Sequence, residues 1–171
     1  YTIRGYELAG AAGIQIEDQE FPKKCGHTPG RRVIPTEDMV QKIKVAVETR
    51  SSSDFLVVAR TDARTSYGLD EALKRGEAFA KAGADILFIE SPESVDEMER
   101  ICANFDAPLL VNVVDGGSTP VLSKQDYIDL GYQVAIYPGT GFLACAHALN
   151  SVYGTIKETG SSVDVEVPLR D

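Results

Sequence analysis

Two hydrophobic periods alternate along this chain, and the alternation limits its fold more than any other feature. Short apolar runs of strand length recur as "GIQIE" (13–17), "DFLVVAR" (54–60), "DILFIE" (85–90), "PLLVNVV" (108–114) and "QVAIYP" (133–138). They are rich in Ile, Val and Phe, the residues that suit a pleated, buried surface. Longer patterns of helical period separate them. Residues 36–49 carry Met39, Val40, Ile43, Val45 and Val47, and 69–82 opens after Gly68 and stops before Gly83. "SVDE" (94–97) and "SKQD" (123–126) each set a Ser three residues ahead of a carboxylate, the spacing of a capping box. Strands that alternate with helices form parallel βαβ units, and near-continuous apolar strands are buried on both faces. The expectation is an α/β protein with a parallel sheet.

Five strands do not close a barrel that needs eight. Residues 1–12 read as the last turns of a helix running through "AGAAG" into the first strand. Two architectures fit. One is an open doubly wound sheet; the other is a (β/α)8 TIM barrel of which only about five βα units are present, the first three lying outside this chain. In either case 1–171 is expected to be a single domain, long enough to bury a real core.

Charge and cysteine content exclude several function classes. With 26 acidic against 17 basic residues the formal charge is -9, whereas a nucleic-acid binder needs a basic stripe to displace counterions. No run reaches the roughly 18 apolar residues of a membrane span, and "YTIRGYELAG" lacks the apolar core of a secretory signal. A cytoplasmic protein without nucleic-acid or membrane partners is expected. Cys25, Cys102 and Cys145 are widely spaced, which supports neither a disulfide framework nor a structural zinc site. Cys102 and Cys145 are expected to pack as small hydrophobes, and His147, within the apolar "FLACAHALN", as a packing histidine.

The candidate site lies where the strands end. Glu17 and Asp18, Arg60, Glu90, Asn112 and Tyr137 stand at or near the ends of the five runs. Carboxyl ends of parallel strands converge on one face, where ligands bind. An Arg among carboxylates in a partly dry pocket pairs with them or grips an anion. After the first run, Lys23, Lys24, His27, Arg31 and Arg32 form the densest basic cluster, a funnel for an anion. Cys25 sits inside it, where neighbouring cations stabilise a thiolate, and Gly26 lets the backbone approach a ligand closely. The Gly-rich "DGGSTP" and "PGTG" lack a P-loop pattern and its lysine, and read as turns.

"KKCGH" after "IEDQ" resembles the signature loop of the isocitrate lyase and phosphoenolpyruvate mutase superfamily. The similarity continues through "VARTDAR", "AGADILFIESP", "LLVNVVDGGSTP" and "GYQVAIYP", nearly the whole chain. The resemblance implies a (β/α)8 barrel that binds Mg2+, with Mn2+ as a substitute, and a small 2-oxo or 2-hydroxy carboxylate. It implies a carbon–carbon lyase that works by a retro-aldol (reverse Claisen) step. Cys25 would protonate the enolate-like carbon of the leaving product. Gly26 and His27 would shape the loop that closes over substrate. Arg60 would hold a substrate carboxylate and stabilise the enolate oxygen, assisted by Lys23 and Lys24. Glu90 would orient Arg60 or touch substrate, Asn112 would donate to the carboxylate, and Glu17 would reach the metal through a water.

Departures from the family pattern narrow the expectation. The principal metal aspartates of the resembled enzymes precede the segment that opens this chain. Phosphonate-forming mutases carry Asn where Cys25 stands, which favours the lyase branch. Methylisocitrate lyases carry an Arg five residues past the Tyr-Pro of the last strand, where this chain has Leu143. A third carboxylate would lie unpaired beside Leu143 at a cost of several kcal/mol. A smaller dicarboxylate of the 2,3-dimethylmalate type is therefore expected, with methylisocitrate as the runner-up. An oxaloacetate decarboxylase or hydrolase, a phosphonate-forming mutase and a noncatalytic carboxylate-binding remnant also stay open. The resemblance further implies a homo-oligomer, a tetramer.

Overall fold

The computed structural model describes residues 1–26, 28 and 30–168. The chain divides into two compact units, Tyr1–Ile136 and Tyr137–Asp171. The first contains α1 (Thr2–Leu8), β1 (Gly13–Glu17), α2 (Thr36–Thr49), β2 (Leu56–Thr61), α3 (Ala63–Tyr67) and α4 (Leu69–Lys81). It continues through β3 (Ile86–Ile89), α5 (Val95–Asn104), β4 (Leu110–Asn112), α6 (Lys124–Leu130) and β5 (Val134–Ile136). The second contains α7 (Thr140–Thr159).

All strand pairings are parallel. β1 pairs with β2 and β2 with β3, β4 pairs with β5, and a Leu87–Leu109 bridge joins β3 to the start of β4. The spatial order therefore follows the chain order. A doubly wound sheet reverses its order at a switch point, whereas a barrel adds each strand beside the last. The first unit is a run of βα units from a (β/α)8 barrel, and the open doubly wound sheet falls away.

The expected helix starts are present with one difference. Ser123 accepts from the Asp126 amide while Asp126 accepts from the Ser123 amide, a complete capping box. Ser94 accepts from the Glu97 amide, but the Glu97 carboxylate turns to the Glu93 amide and to Arg64 instead. Opposite charge on Arg64 outcompetes the reciprocal half of the box. Among the described residues no helix is long and apolar enough to cross a membrane.

The core lies between strands and helices. Met39, Ile43, Phe79, Met98 and Ile101 from the helices meet Ala59, Leu87 and Ile89 from the strands in one buried cluster. Each fully buried large side chain contributes about 1.5–3 kcal/mol. Cys102 packs partly buried against this cluster, and burial pushes its thiol up to about 11 against a hydrogen bond with Tyr132. The other two packing expectations need correction. Cys145 and His147 are exposed, because α7 buries none of its residues within its own unit.

Gly76 in α4 shows how tightly the core is filled. A Cβ there would lie 2.6 Å from Phe105 Cζ and 3.1 Å from Ile89 Cδ1. Inside an open helix Ala is better than Gly by about 1 kcal/mol, but overpacking costs about 1–3 kcal/mol. Gly76→Ala is therefore expected to lower stability by roughly 1 kcal/mol in urea unfolding. A raised midpoint would mean that the Phe105 ring simply moves aside.

Candidate active site

Strand register builds the site. Glu17 lies opposite Arg60 in the β1–β2 ladder, and Arg60 lies opposite Phe88 in the β2–β3 ladder. Alternation along a strand puts Asp62 on the same face as Arg60, two residues on. The Arg60 guanidinium grips Asp62 with Nε and Nη2, both at 2.8 Å. Its Nη1 lies 3.3 Å from Glu90, its Nε 3.5 Å from Glu17, and its centre 5.0 Å from the Phe88 ring centroid. Burial works to lower the Arg60 pKa, but the hydrogen bonds and charges of Asp62, Glu90 and Glu17 outweigh it and raise it.

Asp62 holds a second guanidinium. Arg31 Nη1 donates to Asp62 Oδ1 at 2.7 Å, and Arg31 Nη2 reaches Thr65. Both charged partners are buried, Asp62 fully and Arg31 to 2% exposure. Burial would raise the Asp62 carboxyl, but Arg60 and Arg31 together hold it below its ordinary range. Three cations of the loop are paired with carboxylates. Arg31 is a buried structural partner of Asp62, Lys23 pairs with Glu17 at 3.0 Å, and Arg32 pairs with Glu20 at 2.9 Å. In a chain rich in acids, each of these cations gains more from a neighbouring carboxylate than from standing alone.

Asp18 serves the opposite face of β1. Its carboxylate accepts from the Thr61 hydroxyl at 2.7 Å, the Asp62 amide at 2.9 Å and Arg75 of α4 at 3.2 Å. Burial pushes its carboxyl above the usual range against those hydrogen bonds. This arrangement ties the backbone at Asp62 to β1 and α4.

The loop after β1 is closed at its base. Gln19 bridges Val33 in antiparallel fashion, and the Ile34 amide donates to the Asp18 carbonyl at 2.8 Å. Gln19 also clasps Lys24, accepting from its amide at 2.9 Å and donating to its carbonyl at 3.0 Å. Lys24 Nζ turns to the Gly30 carbonyl at 3.3 Å, so the loop brings Lys23 to the Glu17–Arg60 cluster and Lys24 back onto the loop itself. Gly26 packs directly on the cluster. A Cβ on Gly26 would lie 2.6 Å from both Arg60 Nη2 and Glu90 Oε1, so only glycine fits this seat. Cys25, next to it, is exposed. His27 lies outside the described residues.

Asn112 completes the floor. Its Nδ2 donates to Glu90 at 3.3 Å, while its Oδ1 is buried with no hydrogen-bond partner among the described residues. A buried unpartnered acceptor costs free energy that a ligand donor can recover. Glu17, Lys23, Gly26, Arg60, Glu90 and Asn112 are thus brought together from four segments. Asp62, Arg31 and Ser91 belong to the same assembly, and sequence reasoning does not single them out as site residues. The "RTD" spacing is the available signal for Asp62; Arg31 is visible only as one of several loop cations.

The residues present do not make a Mg2+ centre by themselves. Among the described residues no group of three or more His, Cys, Asp or Glu side chains is placed to hold a metal ion. Glu17 is a single carboxylate already paired with Lys23 and Arg60. Mg2+ keeps several waters and needs few protein carboxylates, but one whose charge is already shared by two cations is a weak sole anchor.

Comparison with known proteins agrees with this geometry. The family model described as phosphoenolpyruvate phosphomutase matches residues 1–157. The chain is 48% identical to 2,3-dimethylmalate lyase of Eubacterium barkeri over 96% of its own length and 57% of that protein. It is 44% identical to 2-methylisocitrate lyase of Aeropyrum pernix over 96% of its length and 53% of that protein. The crystal structure of a 2,3-dimethylmalate lyase, a PEP mutase/isocitrate lyase superfamily member, superposes with a TM-score of 0.91. It is 30% identical, and the match covers 98% of this chain and 57% of that one. Phosphonopyruvate hydrolase in complex with oxalate and Mg2+ superposes at 0.84 with 29% identity, over 100% of this chain and 59% of the other. The chain spans about half the length of the curated relatives it matches. On the match over 1–157 and the relatives' identity, this chain belongs to the phosphoenolpyruvate phosphomutase family, within the PEP mutase/isocitrate lyase superfamily.

Proposed function

We propose that the protein is a Mg2+-dependent carbon–carbon lyase that cleaves a 2-hydroxy dicarboxylate of the 2,3-dimethylmalate type. The observation that carries this reading is the seat of Gly26, the residue after Cys25, directly on the buried Arg60–Glu90 pair. Arg60 keeps a tight bidentate pair with Asp62, while its contacts to Glu90 and Glu17 are longer. A substrate carboxylate joins the guanidinium on the side of the longer contacts without disturbing the shorter ones. Asn112 donates to the same carboxylate, with Glu90 as the group that orients it. Cys25 delivers the proton to the carbon of the departing product, and Lys23, Lys24 and His27 support the charge that develops there.

Mg2+, or Mn2+ in its place, would polarise the 2-oxygen and its neighbouring carboxylate. Glu17 is proposed to reach it through a water. The other ligands would come from outside these 171 residues, which we propose are the later βα units of a longer single-domain barrel; the 57% coverage of the dimethylmalate lyase supports that reading. A homo-oligomer, a tetramer in the cytoplasm, is part of the same proposal, and sedimentation velocity of the complete enzyme tests it.

The assay is product analysis with the complete enzyme, Mg2+ and 2,3-dimethylmalate. Pyruvate and propionate are expected, and Cys25→Ser is expected to lower the rate by roughly 10²–10⁴-fold, the usual worth of a general acid. Substrate binding without turnover would instead identify a noncatalytic binding module. Methylisocitrate is the second reading, favoured by the 44% identity to the Aeropyrum pernix enzyme. Succinate with pyruvate from that substrate, at a higher rate, would establish it over the first. Oxalate with acetate from oxaloacetate, or a phosphonate from phosphoenolpyruvate, at a higher rate than either cleavage would replace both with hydrolase or mutase chemistry.

A further inference from the structure

Ser91 lies two residues past the end of β3, after Glu90, and is 1% exposed. Among the described residues it is the non-glycine residue with positive φ, at 61°. That region is disfavoured for any residue with a Cβ, and it persists where surrounding contacts over-determine it. The contacts here are two. The Ser91 hydroxyl lies 2.7 Å from the Gly26 carbonyl oxygen and 3.0 Å from Glu90 Oε1. A serine carries one hydroxyl proton, and a carbonyl and a carboxylate both accept. The shorter contact goes to the loop.

We infer that Ser91 is a positioning residue that seats Gly26, and with it Cys25, on the Arg60–Glu90 floor by donating its one proton to the Gly26 carbonyl. Gly26 has no Cβ to hold it off, since a Cβ would meet Arg60 and Glu90 at 2.6 Å. When the Gly26 segment lifts, the same hydroxyl rotates to Glu90 Oε1, so no buried donor is stranded in either position. Ser91 thereby lowers the penalty for releasing the seat while defining where the seat is. The left-handed backbone is what aims the hydroxyl back across the strand end towards the loop. The catalytic meaning rests on the lyase reading; the seating itself does not.

Hydrogen exchange of the complete protein without substrate tests the seating directly. The reporters are peptides covering residues 20–28, where the Lys24 amide is held by Gln19 and the Thr28 amide by the Cys25 carbonyl. Ser91→Gly removes the hydroxyl and accepts positive φ freely; Ser91→Ala removes the hydroxyl and keeps the disfavoured Cβ. Both are expected to exchange roughly five- to tenfold faster there, the effect of losing one hydrogen bond, with α6 unchanged. Wild-type exchange in both variants would overturn the inference. Faster exchange in Ser91→Gly alone would overturn it too, because Ser91→Ala also lacks the hydroxyl and the cause would then be the freer glycine backbone. In turnover, the positioning role predicts a fall in kcat for Ser91→Gly with KM for the dicarboxylate little changed. A wild-type enzyme that cleaves none of the dicarboxylates would end the lyase proposal and leave the exchange result standing.

Discussion

Asp62→Ala is expected to destabilise the protein by about 3–5 kcal/mol, the usual consequence of removing one partner from a buried ion pair. The effect falls at the upper end because one carboxylate serves two guanidinium groups, Arg31 at 2.7 Å and Arg60 at 2.8 Å. Without it, two buried cations face each other, and Arg31, whose Nε has no partner among the described residues, loses its principal one. Whole domains have about 5–15 kcal/mol of stability, so much of the reserve would be lost. The pH dependence carries a sign that identifies the cause. Arg60 and Arg31 hold the Asp62 carboxyl below its ordinary 3.8. The stability it contributes is therefore fully present above that value and is lost as pH falls through its lower folded value. The gap between wild type and Asp62→Ala in urea unfolding should be constant from about pH 7 to 5 and narrow below about pH 4. A gap below about 1 kcal/mol at neutral pH would mean that solvent or the Arg31 and Arg60 side chains relax freely, and that Asp62 does not organise the site.

Much of this assembly is legible in the sequence, for reasons that are local. Strand-length apolar runs and helical periodicity depend on neighbours within a few residues, so β1–β5, α2 and α4 can be placed from pattern alone. Strand ends are also local features, and parallel order then forces Glu17, Arg60, Glu90 and Asn112 onto one face. The short α3 escapes a pattern reading because Ala63 follows β2 after a single residue, leaving no break in the pattern. Long-range charge pairing is the larger gap. Arg31 and Asp62 are 31 residues apart, and nothing near either one distinguishes a buried counter-ion from an exposed loop cation. Ser91 is invisible for a different reason: a left-handed serine is fixed by tertiary contacts and has no sequence signature. Cys145 and His147 depart from expectation because an apolar helix need not bury its residues within its own unit.

Arg60→Lys is expected to lower kcat/KM of the complete enzyme by about 10²–10³-fold, on the scale of losing a preorganised donor at developing charge. The guanidinium works through several directions at once. Nε and Nη2 hold Asp62, Nη1 faces Glu90, and the plane lies over Phe88. An ammonium has three donors on one atom and cannot span both carboxylates while leaving a face for substrate. Placed against Asp62, it leaves Glu90 without this cation; placed against Glu90, it breaks the bidentate pair. Either choice also removes the stack on Phe88. The two kinetic constants separate the roles. If Arg60 only grips a carboxylate that is equally charged in substrate and transition state, KM rises and kcat holds; if it stabilises the enolate oxygen, kcat falls with kcat/KM. The lyase reading requires the second result. Activity within about tenfold of wild type would remove Arg60 from the reacting groups and leave it as the structural partner of Asp62.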